Sequence, residues 1–175
     1  MINFKYILTI SYIMSTLNAN CDGFNWYHNI NLNDCNTGDV ATLKQFIVNS
    51  NSSLATDMDI NLNGKIDILE LGWQLWENGR LIHWICQDVP SPYYFYEYDC
   101  GLSGAIPENI DNLDAIIKLR LQNNKLNNKI PSSICNLNNI NSGSYWFDIE
   151  NNSLCPPYPS CIEDIIGNQN ITECK

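Results

Sequence analysis

Residues 59–70 place oxygen-bearing side chains at a spacing suited to a hard cation. Asp59, Asn61 and Asn63 alternate, Gly64 follows, and Lys65, Asp67 and Glu70 close the stretch. Ca²⁺ takes roughly six to eight oxygen ligands on a flexible loop. Alternating positions supply the first three from one side, and Gly64 permits a sharp turn. Lys65 offers its backbone carbonyl, Ile66 anchors the loop, and Glu70 can close the site with both oxygens. Two of the three early donors are amides, which lowers the charge and predicts weak binding, at the extracellular end of the range. The other reading is a polar turn running into a helix, which Asn, Asp and Gly also make. The residues before Asp59 are poor material for an entering helix, and no second loop of this kind follows. Residues 68–77 read as an exit helix.

The other chemistry-bearing residues lean toward contact rather than catalysis. Tyr93, Tyr94, Phe95, Tyr96 and Tyr98 crowd one short segment, where they serve either as an exposed binding loop or as a cover for the core. His28 and His83 are the two histidines, and neither lies in a nucleophile context for a Ser-His-Asp triad. GLSGA (101–105) lacks the Lys and Ser/Thr of a phosphate loop. No carboxylate pair is marked by its surroundings as a glycosidase pair. The chain therefore reads as a non-enzyme. Trp73, Trp76 and Trp84 are expected to pack in the interior, each indole N–H finding a partner.

The elements that carry these residues begin with a leader. Residues 1–19 place Lys5 before an apolar run and end in small and polar residues, the layout of a secretory signal peptide cleaved after Ala19; an uncleaved anchor is the alternative. No later segment is apolar enough to span a bilayer. All eight cysteines, Cys21, Cys35, Cys86, Cys100, Cys135, Cys155, Cys161 and Cys174, lie beyond the leader, and their even count points to disulfides in an oxidising compartment. Asn51, Asn151 and Asn170 head glycosylation sequons. The net charge of −10, or −11 once Lys5 leaves with the leader, disfavours nucleic acid and anionic membranes.

Cys21 and Cys35 pin a polar, Asn-rich start. Val40, Leu43, Phe46 and Ile47 then recur at helical spacing behind Asp39 as N-cap. Residues 68–81 form a second helical candidate, with Leu71, Leu75 and Trp76 on one side and Gly79 as its stop. LIHWIC (81–86) alternates as a strand, and Cys86 and Cys100 can tie the base of the aromatic segment between them. GLSGAIPENIDNL (101–113) and KLNNKIPSSICNL (125–137) repeat each other at an offset of 24 residues. A fixed period in the twenties is the mark of stacked units that cannot bury their apolar faces alone.

The run Ile116-x-x-Leu119-x-Leu121-x-x-Asn124-x-Leu126-x-x-x-Ile130-Pro131-x-x-Ile134-x-x-Leu137 resembles a plant-type leucine-rich repeat. Leu119 and Leu121 alternate inward from a short strand, and Asn124 sits where an inward amide can bond exposed backbone groups. Cys100 holds the Asn position one unit earlier, and Phe147-x-Ile149-x-x-Asn152-x-Leu154 forms the unit after it. The loop at 59–70 likewise resembles that of an EF-hand. The resemblance implies an α/β solenoid, a short right-handed superhelix of about three coils. Its divisions would be an N-terminal cap at 20–80, repeats at 81–154 with the aromatic insertion at 87–99, and a Cys-rich C-terminal cap at 155–175. The register it implies favours Cys135–Cys161 and Cys155–Cys174 as disulfides.

The function implied is that of a secreted recognition protein binding a protein or glycan through its strand face. The contact positions expected there are Ile82, His83, Ile85, Lys118, Arg120, Gln122, Asp148 and Glu150, with Tyr93, Tyr94 and Tyr96 from the insertion. An inhibitor of a hydrolase and a calcium-dependent structural cell-surface module are the alternatives. Ca²⁺ is the expected cofactor.

Overall fold

A computed structural model describes residues 21–25, 30–50, 53–87, 100–138, 143 and 145–175. The leader expected at 1–19, the sequon at Asn51, His28 and the tyrosines Tyr93, Tyr94 and Tyr96 lie outside the described residues. The elements are β1 (Gly23–Phe24), α1 (Thr37–Asn49), β2 (Trp73–Glu77), β3 (Arg80–Ile85), β4 (Ser103–Gly104), β5 (Lys118–Arg120), β6 (Lys125–Lys129), β7 (Phe147–Asp148) and β8 (Ser153–Cys155). They form a five-stranded sheet in the order β1-β2-β3-β5-β7 and a three-stranded sheet in the order β4-β6-β8.

This corrects the expected fold. The chain is an α/β fold built on two sheets with one α-helix among the described residues, and not a right-handed superhelix of about three coils. The larger sheet is mixed: β1, β2 and β3 pair antiparallel, while β3, β5 and β7 run parallel. Residues assigned to a helical cap thus extend the sheet itself. The physical reason lies at 73–85. Trp73, Gln74, Leu75 and Trp76 alternate between half-buried and buried, a strand period. Asn78 and Gly79 both have positive φ, 51° and 76°, which builds the two-residue turn of a hairpin. The second helix expected at 68–81 is therefore a short 3-10 turn (Ile68–Glu70) followed by β2, the turn and β3.

The 24-residue echo places its two copies side by side. Ser133 Oγ donates to the Glu108 carbonyl (2.7 Å), Asn136 Nδ2 to Asp111 Oδ2 (3.1 Å) and Asn138 Nδ2 to the Asp114 carbonyl (2.8 Å). Leu102, Ile110 and Leu113 of one copy and Leu126, Ile134 and Leu137 of the other are buried in one continuous core with Trp84, Leu119, Leu121 and Phe147. Helix α1 leans on this core through Leu43 and Phe46, whose ring meets Trp84 edge-on at 4.8 Å. Its N-cap is Asn36, which accepts from the N–H groups of Gly38 and Asp39. Asp39, expected to cap, is instead buried and receives Arg80 Nε (2.9 Å), Arg80 Nη2 (3.1 Å) and the Leu81 N–H (2.9 Å).

Where the parallel strands end, inward amides, buried or half-buried, take over from the ladder. Asn124 Nδ2 donates to the carbonyls of Cys86, Leu121 and Gln122, and its oxygen accepts the Leu102 N–H. Asn152 repeats the pattern, donating to Leu121, Ile149 and Glu150 and accepting from Leu126. Gln169 follows, donating to Ile149 and Ile166 and accepting from Leu154. On the other side, Gln74 donates to the carbonyls of Ile68 and Leu71, and Asn25 to those of Leu69 and Gly72. The position before Asn124 in this series is Cys100, bonded to Cys86. Gly72 lies against that bond with φ of 70°, and a Cβ there would sit 2.5 Å from the Ile85 carbonyl oxygen.

All four disulfides are formed: Cys21–Cys35, Cys86–Cys100, Cys135–Cys161 and Cys155–Cys174. The two pairings implied by register are both present, and a covalent tie closes the segment between residues 86 and 100. Among the described residues no helix is long and apolar enough to cross a membrane.

Replacing Asn152 by Ala strands the Leu126 N–H, while the Leu121, Ile149 and Glu150 carbonyls keep other donors in the Asn124 amide, the Gln169 amide and the Asn123 N–H. The expected loss is roughly 2 kcal/mol, because a buried group left unpaired costs about 1–3 kcal/mol. In thermal unfolding this reads as a fall in Tm of about 4–8 °C. Lys125→Ala, at an exposed position, should stay within about 0.5 kcal/mol of the parent. Equal Tm values for the two variants would remove the amide series from the account of stability.

Candidate functional site

The five-stranded sheet presents one face to the core and one outward. Trp84, Leu119 and Phe147 lie in register and are buried. Because side chains alternate along a strand, their neighbours form the outer face in two rows. Phe24, Leu75, His83 and Lys118 make the first row, and Trp73, Ile85, Arg120 and Asp148 the second. Leu75 and Trp76 of β2 flank a register shift opposite β3, which leaves Ile82 without a place in either row.

Aromatic rings follow one another across this face. Phe24 and Trp73 lie 5.1 Å apart between ring centroids, Trp73 and His83 are stacked at 6.0 Å, His83 and Trp146 lie 6.3 Å apart, and Trp146 meets Tyr145 edge-on at 4.9 Å. Lys118 extends beneath the last two, with Nζ 3.7 Å from the centroid of Tyr145 and 5.7 Å from that of Trp146. Phe24, Trp73, His83 and Trp146 are half-buried, and Tyr145 is exposed.

Beside the rings runs a polar row. Arg120 Nη2 lies 3.9 Å from Asp148 Oδ2. Gln122, with its amide oriented to suit its neighbours, accepts from Arg120 Nη2 (2.6 Å) and Nε and donates to Gln87 Oε1 (3.2 Å). Burial holds the Asp148 carboxyl above its ordinary range, with the Glu150 N–H and Arg120 acting in the opposite direction.

Of the contact positions expected on this face, His83, Ile85, Arg120, Asp148 and Glu150 are half-buried. Lys118 and Gln122 are 6% and 2% exposed. They are covered because the Tyr145 ring lies over the lysine and the polar row closes around the glutamine. The face also gains aromatic members that its strand pattern did not indicate. Trp73 was expected inside with Trp76 and Trp84, but only those two are fully buried, their indole N–H groups donating to Gln74 Oε1 and the Leu71 carbonyl. Asn78-Gly79 is the signal that could have placed Trp73 outside, since a hairpin there makes it alternate against buried Gln74 and Trp76.

The loop at 59–70 is held by its own side chains. Asp59 accepts the Asn63 N–H (3.0 Å) and the Gly64 N–H (2.7 Å), and Asn61 Oδ1 accepts the same Asn63 N–H (3.0 Å). The amides of Asn61 and Asn63 both donate to Asp67 Oδ2 at 3.0 Å. Asp59, Asn61, Asn63 and Asp67 therefore converge. Glu70 is buried and turns its carboxylate under the loop, accepting the N–H groups of Asn61 (3.0 Å) and Asp67 (2.9 Å). Lys65 donates its backbone N–H to Asn63 Oδ1 (2.9 Å). Among the described residues no three His, Cys, Asp or Glu side chains gather as a metal cluster. The convergence is made by the amide nitrogens of Asn61 and Asn63 on Asp67, while the Asn oxygens and Asp59 accept backbone N–H groups of the loop.

His83 gives this face a pH response. Burial lowers its pKa first and the Lys118 charge second, against a smaller upward pull from Glu77. Its folded pKa lies below the unfolded value, so the unfolded chain binds more protons. The stability carried by the neutral ring is present above about pH 6.5 and is lost as pH falls through the folded pKa. Asp148, raised in the fold, works in the opposite sense from the acid side. Between about pH 7.5 and about pH 5.5 the wild type should lose more thermal stability than His83→Gln. Parallel pH curves for the two proteins would remove His83 as the source.

No protein-family model matches this chain, and no curated protein sequence matches it.

Proposed function

We propose that the chain is a secreted recognition protein that binds a protein or glycan partner through the outer face of its five-stranded sheet. The observation that carries this reading is the outer face itself. Five adjoining strands there offer half-buried aromatic, basic and acidic side chains on a rigid support. Binding constellations gain from such support, because rotamers held by neighbours lose less entropy when a partner arrives. Four disulfides suit an oxidising, extracellular setting. The sequence resemblance to secreted plant-type leucine-rich repeat proteins supports the same role.

The test uses purified protein immobilised and exposed to the extracellular proteins and glycans of its source. Arg120→Glu reverses a charge on the outer face, and Lys125→Glu reverses one on β6 of the other sheet. Retention of the partner should fall by about tenfold or more for Arg120→Glu, equivalent to about 1.4 kcal/mol, and persist for Lys125→Glu. Equal retention by both variants, each checked for native circular dichroism, would place the contact elsewhere.

A second reading concerns the loop. Ca²⁺ is proposed to bind weakly at 59–70, taken by Asp59, Asn61, Asn63, the Lys65 carbonyl, Asp67 and Glu70. The convergence of Asp59, Asn61, Asn63 and Asp67 favours it. The bound ion would offset the negative charge that these carboxylates concentrate. A ligand that binds only the folded state at about ten times its Kd adds about 1.4 kcal/mol. Millimolar Ca²⁺ should therefore raise Tm by several degrees, and EDTA should reverse the rise. An unchanged Tm would leave the loop as a self-bonded polar turn.

A further inference from the structure

We infer that the outer face takes an uncharged oligosaccharide, its sugar rings seated along Phe24, Trp73, His83 and Trp146. This rests on the reading of the face as a recognition surface and names the chemical class of its occupant. Three observations converge on that class. The first is the run of rings, which crosses the sheet in consecutive steps of 5.1, 6.0 and 6.3 Å. Aromatic planes bury the C–H faces of sugars while leaving the hydroxyls in water, and Trp and Tyr do so at low cost in side-chain entropy. Repeated rings in one direction suit a repeating chain.

The second observation is the polar row beside the rings. Arg120 and Asp148 are half-buried planar groups with paired donors or acceptors, oriented by one another and, for Arg120, by the covered Gln122 beneath it. Such groups match the adjacent hydroxyls of a pyranose, which accept and donate in pairs.

The third observation decides the charge of the occupant. Both basic groups of the face are engaged within the protein, Lys118 over the Tyr145 and Trp146 rings and Arg120 by Asp148 and Gln122. An anionic sugar would have to draw them from these partners and approach a chain of net charge −10. A cationic occupant would meet Lys118 and Arg120. A neutral sugar incurs neither cost.

The experiment is isothermal titration, with tryptophan fluorescence in parallel, of the purified protein against cellohexaose, chitohexaose, mannohexaose and a heparin hexasaccharide. At least one neutral hexasaccharide should bind and shift the emission of wild type. Trp73→Ala and Trp146→Ala should each weaken that binding by about tenfold or more, while Val48→Ser, on an exposed part of α1, leaves it unchanged. Trp73→Phe should retain most of the affinity, because it keeps a ring at that step. Binding of heparin alone, failure of every neutral sugar, or neutral binding indifferent to Trp73 and Trp146 would each overturn the inference. Failure of the sugars alongside loss of a captured protein by Arg120→Glu would overturn the sugar assignment and leave the recognition face standing.

Discussion

A chain that leaves a short parallel strand and turns through the core carries backbone carbonyls and N–H groups that no strand can reach. Unpaired, each would cost as much as a lost hydrogen bond in a dry interior. This chain meets the constraint with carboxamides. Asn25, Gln74, Asn124, Asn152 and Gln169 each donate twice or more to main-chain carbonyls from neighbouring segments. Only a carboxamide offers two donors and an acceptor without charge, so its burial needs no counter-ion. Every other feature stands on this series, because the spacing of the parallel strands, and with it the outer face, is held from inside.

A second constraint ties the helix to the sheet. Asp39 is fully buried at the start of α1 and would be unstable alone. It is matched by Arg80 at the start of β3, which also donates to the Asn112 carbonyl (3.1 Å) and to Asp114. These bonds hold the Arg80 pKa above its ordinary value, with the Asp39 hydrogen bond as the largest cause. One guanidinium therefore links α1, the hairpin strand and the turn that follows residue 110. Breaking such a pair by removing one partner costs more than the pair contributes, since the remaining charge stays buried. Replacement of Arg80 would loosen three segments together.

Much of this was legible residue by residue. The inward alternation of Leu119 and Leu121, the inward amide at Asn124 and the strand at 81–86 follow from local spacing, and the pairing of Cys135 with Cys161 from the register that the repeat resemblance implies. That the polar side chains of 59–70 meet was legible in the same way, because they lie within one short stretch of chain. Three expectations about the fold's elements gave way. The helix proposed for 68–81 is a 3-10 turn and a hairpin, because apolar residues at helical spacing also fit a strand when an Asn-Gly turn folds them back. Asp39 does not cap α1, because Asn36 was available three residues earlier and Arg80 competes for the carboxylate. The superhelix gives way to a mixed sheet, because β1 and β2 add antiparallel strands that the repeat period does not encode.

By itself, the sequence determined that Leu119 and Leu121 turn inward, that the backbone meets an amide at Asn124, and that the cysteines would pair. Each of these depends on near neighbours in the chain, on composition, or on a period of 24 residues. Tertiary structure alone decided which side chains share the outer face. Phe24, Trp73, His83 and Trp146 come from β1, β2, β3 and the approach to β7, and only strand order and register bring their rings within 5.1–6.3 Å of one another. The burial of Lys118 beneath Tyr145 has the same origin. A strand's own pattern gives the direction in which a side chain points, but the neighbour it meets there belongs to a strand brought alongside by folding.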